Sequence, residues 1–163
     1  MRHSNPTAFQ KFIHFFLMLQ PVSAFLSIVL HRVDTFVLKL TKDRYSVTET
    51  VGLPIIQLTT IGAKTSRSRT LPLVGLFDGE KIVLIASNLG GKHNPGWYYN
   101  LKASPKCTVK YKGRKLLLQA RQAKGEEREK YWEMGVSYYK GYDIYQRRAG
   151  HRLIPVMVLE PLK

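Results

Sequence analysis

Three segments of the 163-residue chain gather side chains whose types and spacing could do chemistry. The first, residues 59–69, sets Thr59, Thr60, Thr65, Ser66 and Ser68 beside Lys64, Arg67 and Arg69. Hydroxyls, backbone N–H groups and cations in one short loop can surround a phosphate, the backbone forming a concave nest and Lys64 and Arg69 supplying charge. A solvated basic turn has the same composition, and the Gly-Lys-Thr order of a P-loop is absent. The second segment is Ala86-Ser87-Asn88-Leu89-Gly90-Gly91. Its small residues allow a planar ring or a phosphate to approach the backbone, and a helix starting at Asn94-Pro95 would add partial positive charge. The third is Tyr138, Tyr139, Tyr142 and Tyr145 around Gly141, read as an aromatic lid whose hydroxyls can donate to an oxygen that gains charge. Each has a plainer alternative, as a connector or as packing, and Trp97 on the following helix is as good a core residue as a wall for a ring.

Other chemistries lack their residues. His3, His14, His31, His93 and His151 show no metal-ligand spacing, and the single cysteine, Cys107, excludes both an internal disulfide and a cysteine-based metal site. There is no Gly-x-Ser-x-Gly, no dinucleotide Gly-x-Gly-x-x-Gly and no convincing carboxylate pair. With 11 acidic residues against 26 basic ones, a bound cofactor is expected to carry any redox step. The resulting net charge of +15 favours anionic partners. The basic residues are spread along the chain and form no nucleic-acid motif, so a phosphorylated small molecule is preferred over nucleic acid.

The elements that must position these segments follow from periodicity. Residues 7–19 and 22–40 read as two helices separated at Pro21, the second carrying Val22, Leu26, Val29, Val33, Phe36, Val37 and Leu40 at helical spacing. Residues 1–45 are therefore expected to be an N-terminal helical extension. Two fates stay open for it: packing on the body of the protein, or contact of the first helix with a membrane surface. Residues 46–163 form the main domain, with strands expected at 53–60, 71–77, 81–86, 107–111, 114–123 and 153–159. Asp78-Gly79 marks a hairpin, because both residue types tolerate positive φ, and a second hairpin is expected where two strands flank Lys112-Gly113. Residues 61–70, 87–93 and 140–150 read as loops. A helix is expected from Asn94, as N-cap, to before Pro105, and another over 125–139. Pro155 puts the last strand at an edge or bulge. About six antiparallel strands with flanking helices make an α+β fold or small barrel.

Taken together, the segments resemble the deazaflavin-dependent nitroreductase family. The carrying residues, in order, are Leu58-Thr59-Thr60, Gly62, Lys64-Thr65, Arg69, Pro72-Leu73, Asp78-Gly79, Ala86-Ser87, Gly90-Gly91, Asn94-Pro95, Trp97-Tyr98, Asn100-Leu101, Ala103 and Pro105. The resemblance implies a split β-barrel binding coenzyme F-420, a 5-deazaflavin with a phosphate and an acidic tail, with FMN as the alternative. It implies that Lys64, Thr65, Ser66 and Arg69 hold the phosphate, and that Pro72, Leu73, Ala86, Ser87, Asn88, Trp97 and Tyr145 complete the cofactor pocket. It further implies hydride transfer to a quinone-like or nitroaromatic acceptor, with Tyr142, Ser87 and Tyr139 as catalytic residues and Tyr142 as hydrogen-bond or proton donor. Expected with it are a monomer, since the N-terminal helices could cover the face other split barrels pair through, and a cytoplasmic location, peripheral at the inner membrane face if the extension docks there. Ser66 stands where the family usually has glycine, so a positive φ there would cost on the order of 1 kcal/mol. A non-catalytic binder of FMN or a lipid is the competing reading, since the same barrel holds varied ligands.

Overall fold

The computed structural model describes residues 53–162. The helical extension expected over 1–45 lies outside them. Seven antiparallel strands form one sheet: β1 (Ile55–Ile61), β2 (Ser68–Val74), β3 (Leu76–Asp78), β4 (Lys81–Ile85), β5 (Lys106–Tyr111), β6 (Arg114–Gln122) and β7 (Val156–Pro161). Their order is β2-β1-β5-β6-β7-β4-β3. The helices are α1 (Gly96–Ala103), α2 (Gly125–Tyr138) and α3 (Gly141–Arg148), with one 3-10 turn at Asn88–Gly90.

The two edge strands, β2 and β3, are separated in sequence by Gly75 alone. Consecutive Cα atoms lie about 3.8 Å apart, so opposite edges of the sheet must come side by side and the sheet must roll. The result is the expected α+β split β-barrel. Gly75 is where the roll closes: its N–H donates to the Pro54 carbonyl at 2.9 Å, and a Cβ there would sit 2.8 Å from Ile56 Cγ2. The apolar run 71–77 is thus two strands, and the expected six strands become seven because a glycine bends the chain from one edge to the other.

β4 and β7 are buried on both faces, which is why they read as unbroken apolar runs. Ile82, Leu84, Met157 and Leu159 face a barrel core with Ile56, Leu58, Val109, Leu118 and, from α1, Trp97 and Leu101. Val83, Ile85, Val156 and Val158 face a second core under α2 and α3, with Tyr131, Tyr139, Tyr142 and Tyr145.

Both hairpins form as expected, with a difference at the first. Lys112 and Gly113 both take positive φ between the paired Tyr111 and Arg114. At the other hairpin only Gly79 does. Asp78 is instead the last strand residue, paired with Lys81, and its carboxylate accepts from Lys130 Nζ and Tyr131 Oη, each at 3.0 Å. Those bonds lower the Asp78 pKa, the Lys130 bond most.

Three further expectations are corrected. Residues 140–150 are mainly α3, because Gly141, Tyr142 and Tyr145 recur at helical spacing and bury one face; polar and glycine content masked that stripe. Asn94 does not cap α1: Pro95 is the N-cap residue, and the Asn94 side chain accepts from Arg152 instead. The last strand lies between β6 and β4 rather than at an edge, since Pro155 sits just before its first residue and leaves the ladder intact.

Candidate functional site

The β1–β2 turn and α1 face each other across a cleft of about 1090 Å³. One wall comes from the turn and the start of β2, with Gly62, Lys64, Thr65, Arg69 and Leu71. The other comes from α1, with Gly96, Trp97, Tyr99 and Lys102, and Asn88 closes one end.

The turn is short because β2 already pairs with β1 at Ser68. The Gly62 carbonyl accepts from Thr65 N–H at 3.2 Å and Ser66 N–H at 2.8 Å, while Gly62 N–H donates to the Arg67 carbonyl at 2.9 Å. A Cβ on Gly62 would lie 2.6 Å from Thr65 Oγ1, so a larger residue would displace the Thr65 side chain from this cradle. Ser66 takes φ +54°, the strained conformation its replacement of glycine foreshadowed. Arg69 Nη2 donates to Thr65 Oγ1 at 3.4 Å, drawing the guanidinium over the turn.

Buried Asn100 ties the two walls together. Its Nδ2 donates to Thr60 Oγ1 and its Oδ1 accepts from Ala63 N–H, each at 3.0 Å. Trp97 is 6% exposed and belongs to the barrel core while also lining the cleft, so its two readings are compatible.

The structure brings Lys64, Thr65, Arg69, Asn88 and Trp97 of the expected site to one cleft. It does not bring the others to its wall. Ser66 points from the same turn, and Pro72 and Leu73 continue β2 beyond the cleft. Ala86 is fully buried in the barrel core and Ser87 leads into the 3-10 turn. Tyr139, Tyr142 and Tyr145 are not an exposed lid: they pack edge to face in the second core, with Tyr139 and Tyr145 hydroxyls 3.1 Å apart. Burial drives the Tyr139 and Tyr142 phenols well above the ordinary tyrosine pKa and raises that of Tyr145.

Three residues of the architecture escaped the sequence reading as site elements: Lys102, which adds a cation to the α1 wall, Asn100, and Arg152. Spacing from Trp97 does not find Lys102, which lies five residues on and so turns to another side of α1; it shares a face with Tyr99, three residues before it. No signal announces Arg152, whose partners lie 58 to 66 residues away and include main-chain carbonyls.

Chemically, the cleft offers cations from both walls, no carboxylate among its described lining residues, a tight backbone cradle and an aromatic and aliphatic floor. It suits a long ligand with an anionic segment and a planar one. No group of His, Cys, Asp and Glu residues that could hold a metal ion is gathered among the described residues. No described helix is long and apolar enough to cross a membrane.

A split barrel with such a cleft is the frame of a protein that binds a phosphate-bearing cofactor of the flavin or deazaflavin type. Residues 32–161 match the model of the F420H(2)-dependent quinone reductase family, and the chain belongs to that family. An F420H(2)-dependent quinone reductase of Mycobacterium tuberculosis is 34% identical over 109 residues, 65% of this chain and 72% of the relative. A second from the same organism is 29% identical, covering 67% of this chain and 91% of the relative. Among solved structures, an F420-H2-dependent reductase superposes with a TM-score of 0.61 at 39% identity, over 66% of this chain and 94% of its own.

Proposed function

We propose that this chain transfers hydride from reduced coenzyme F420 to a quinone or nitroaromatic-type acceptor, and that the cleft between the β1–β2 turn and α1 holds the cofactor. The observation that supports this most is the pairing, in one acid-free cleft, of the Gly62 cradle and Lys64, Arg69 and Lys102 with the Trp97 wall. The cradle and cations suit the cofactor's phosphate.

When bound, the coenzyme supplies the hydride. The chain's own residues do the rest. Lys64 and Arg69 neutralise the anionic segment, and Thr65 Oγ1, already held by Arg69, offers a hydroxyl beside it. Trp97 presents a rigid aromatic edge that orients a planar ring and excludes water. Asn88, from the loop before α1, would offer its side-chain oxygen to the bound group, its Nδ2 being held by the His93 carbonyl. Asn100 keeps the facing walls in register.

The acceptor side is carried by similarity alone. Tyr142, with Tyr139 and Tyr145 beside it, is proposed by that similarity to donate a hydrogen bond to the acceptor oxygen. In the described structure its ring is buried in the second core and stands off the wall of this cleft. The segment 1–45, outside the described residues, is proposed as a helical extension suited to reaching a quinone held in a membrane.

Stopped-flow mixing of protein, reduced F420 and a water-soluble benzoquinone tests the reading. Protein-dependent loss of the reduced cofactor with quinol formed in equal amount is the expected result. Oxidation no faster than without protein, for quinone and nitroaromatic alike, would sink it.

A further inference from the structure

The loop from β4 to α1 contains three consecutive residues with positive φ: Asn88 at 48°, Leu89 at 54° and Gly90 at 79°. Left-handed backbone is strained for a side chain such as that of Leu89, while asparagine and glycine tolerate it better. Such a path persists only when its surroundings over-determine it. Few bonds within the loop do so: Gly90 N–H to the Ser87 carbonyl, Gly91 N–H to the Asn88 carbonyl and Asn88 Nδ2 to the His93 carbonyl.

The main restraint comes from Arg152. Its Nη2 donates to the carbonyls of Ser87 at 2.8 Å and Gly91 at 2.9 Å, and its Nε donates to Gly91 again at 3.1 Å. Its Nη1 donates to Asn94 Oδ1 at 2.6 Å and to the Ala86 carbonyl at 3.3 Å. One planar fork therefore grips the loop before its left-handed stretch and after it. The fork is itself held, because Gln146 of α3 donates to the Arg152 carbonyl and accepts from Ile154 N–H, each at 2.9 Å. On the loop's other side, a Cβ at Gly90 would lie 2.7 Å from the Tyr145 carbonyl, so α3 presses directly against it.

We propose that Arg152 is a positioning residue for the cofactor cleft: it locks the 86–94 loop so that Asn88 and the entry to α1 stand where the cofactor ring needs them. The role rests on the proposed cofactor reading, since Asn88, Pro95 and Gly96 line that cleft. Only a guanidinium meets the geometry. A lysine ammonium keeps the charge but cannot span donors to both arms of the loop. The anion cradle at 62–69 lies on the opposite wall and does not depend on Arg152.

Arg152→Lys separates these statements. In the ligand-free variant, amide hydrogen exchange at residues 88–91 is expected to quicken about tenfold or more, with exchange in β1, β5 and β6 unchanged. F420 affinity is expected to fall about tenfold while affinity for inorganic phosphate stays within about twofold. A Leu118→Val core variant, matched for loss of melting temperature, should move neither loop exchange nor F420 affinity. Asn94→Ala, which removes one arm only, should give the same pattern more weakly and stands in if Arg152→Lys fails to fold. Unchanged loop exchange in both variants, or F420 and phosphate affinities falling together as stability falls, would overturn the proposal. If the wild-type protein binds no F420, the functional reading fails, and the exchange data still decide whether Arg152 locks the loop.

Discussion

Asn100 spends both ends of its buried amide on the β1–β2 turn. Asn100→Ala would strand the Ala63 N–H and the Thr60 hydroxyl, at about 1–3 kcal/mol. Its melting temperature should therefore drop by several degrees, and F420 affinity should fall with it as the two walls separate. The charged and aromatic groups divide differently. Lys64→Ala with Arg69→Ala should weaken cofactor binding far more than Tyr142→Phe does. Tyr142→Phe should lower kcat by about tenfold or more with the dissociation constant nearly unchanged, the signature of a group that acts in the transition state. Equal losses of binding in both would undo these roles. Much of this was legible in the residues. Lys64, Thr65, Arg69, Asn88 and Trp97, singled out by type and spacing, line one cleft. Arg152 was not legible, because an arginine whose partners are distant backbone carbonyls looks like any surface cation until the fold is known.

At the scale of elements, local rules worked where a turn forces the backbone. Gly113 and Gly79 were readable because positive φ narrows the choice of residue, whereas Lys112 takes the same conformation against its type. The roll of the sheet at Gly75 and the helix at 141–148 were hidden, since both depend on what packs against them. Gly141 is a case in point: a Cβ there would run into the Tyr139 ring, a contact no local pattern reveals. The tyrosines that α3 buries give this region a pH signature. Their folded pKa values lie above the roughly 10 of an unfolded tyrosine, chiefly through burial. Above that pH the unfolded chain loses protons that the folded chain keeps, so ΔG of unfolding declines as pH rises. Melting temperature should be flat from about pH 7 to 9 and then fall, and Tyr142→Phe should blunt the fall. A melting temperature that holds through about pH 11 would mean that these phenols are not buried in solution.

For the whole molecule, a net charge of +15 and a cleft carrying Lys64, Arg69 and Lys102 act in the same direction. A polyanionic cofactor should be drawn in from a distance, and the effect should be screened by salt. The association rate of F420 should drop by about tenfold or more between about 50 and 500 mM salt, with the dissociation rate changing less. The basic composition was plain from the first reading, but charge says nothing about fold, and only the rolled sheet shows that three cations share an acid-free cleft. The central claim is that this cleft binds a deazaflavin through those cations. Its most direct test is a fluorescence titration of the purified full chain with coenzyme F420, run beside FMN and beside the Lys64→Ala, Arg69→Ala double variant. The expected result is saturable binding of F420 in preference to FMN, weakened at least about tenfold in the double variant. Binding of FMN alone, binding of neither, or an unweakened double variant would contradict it.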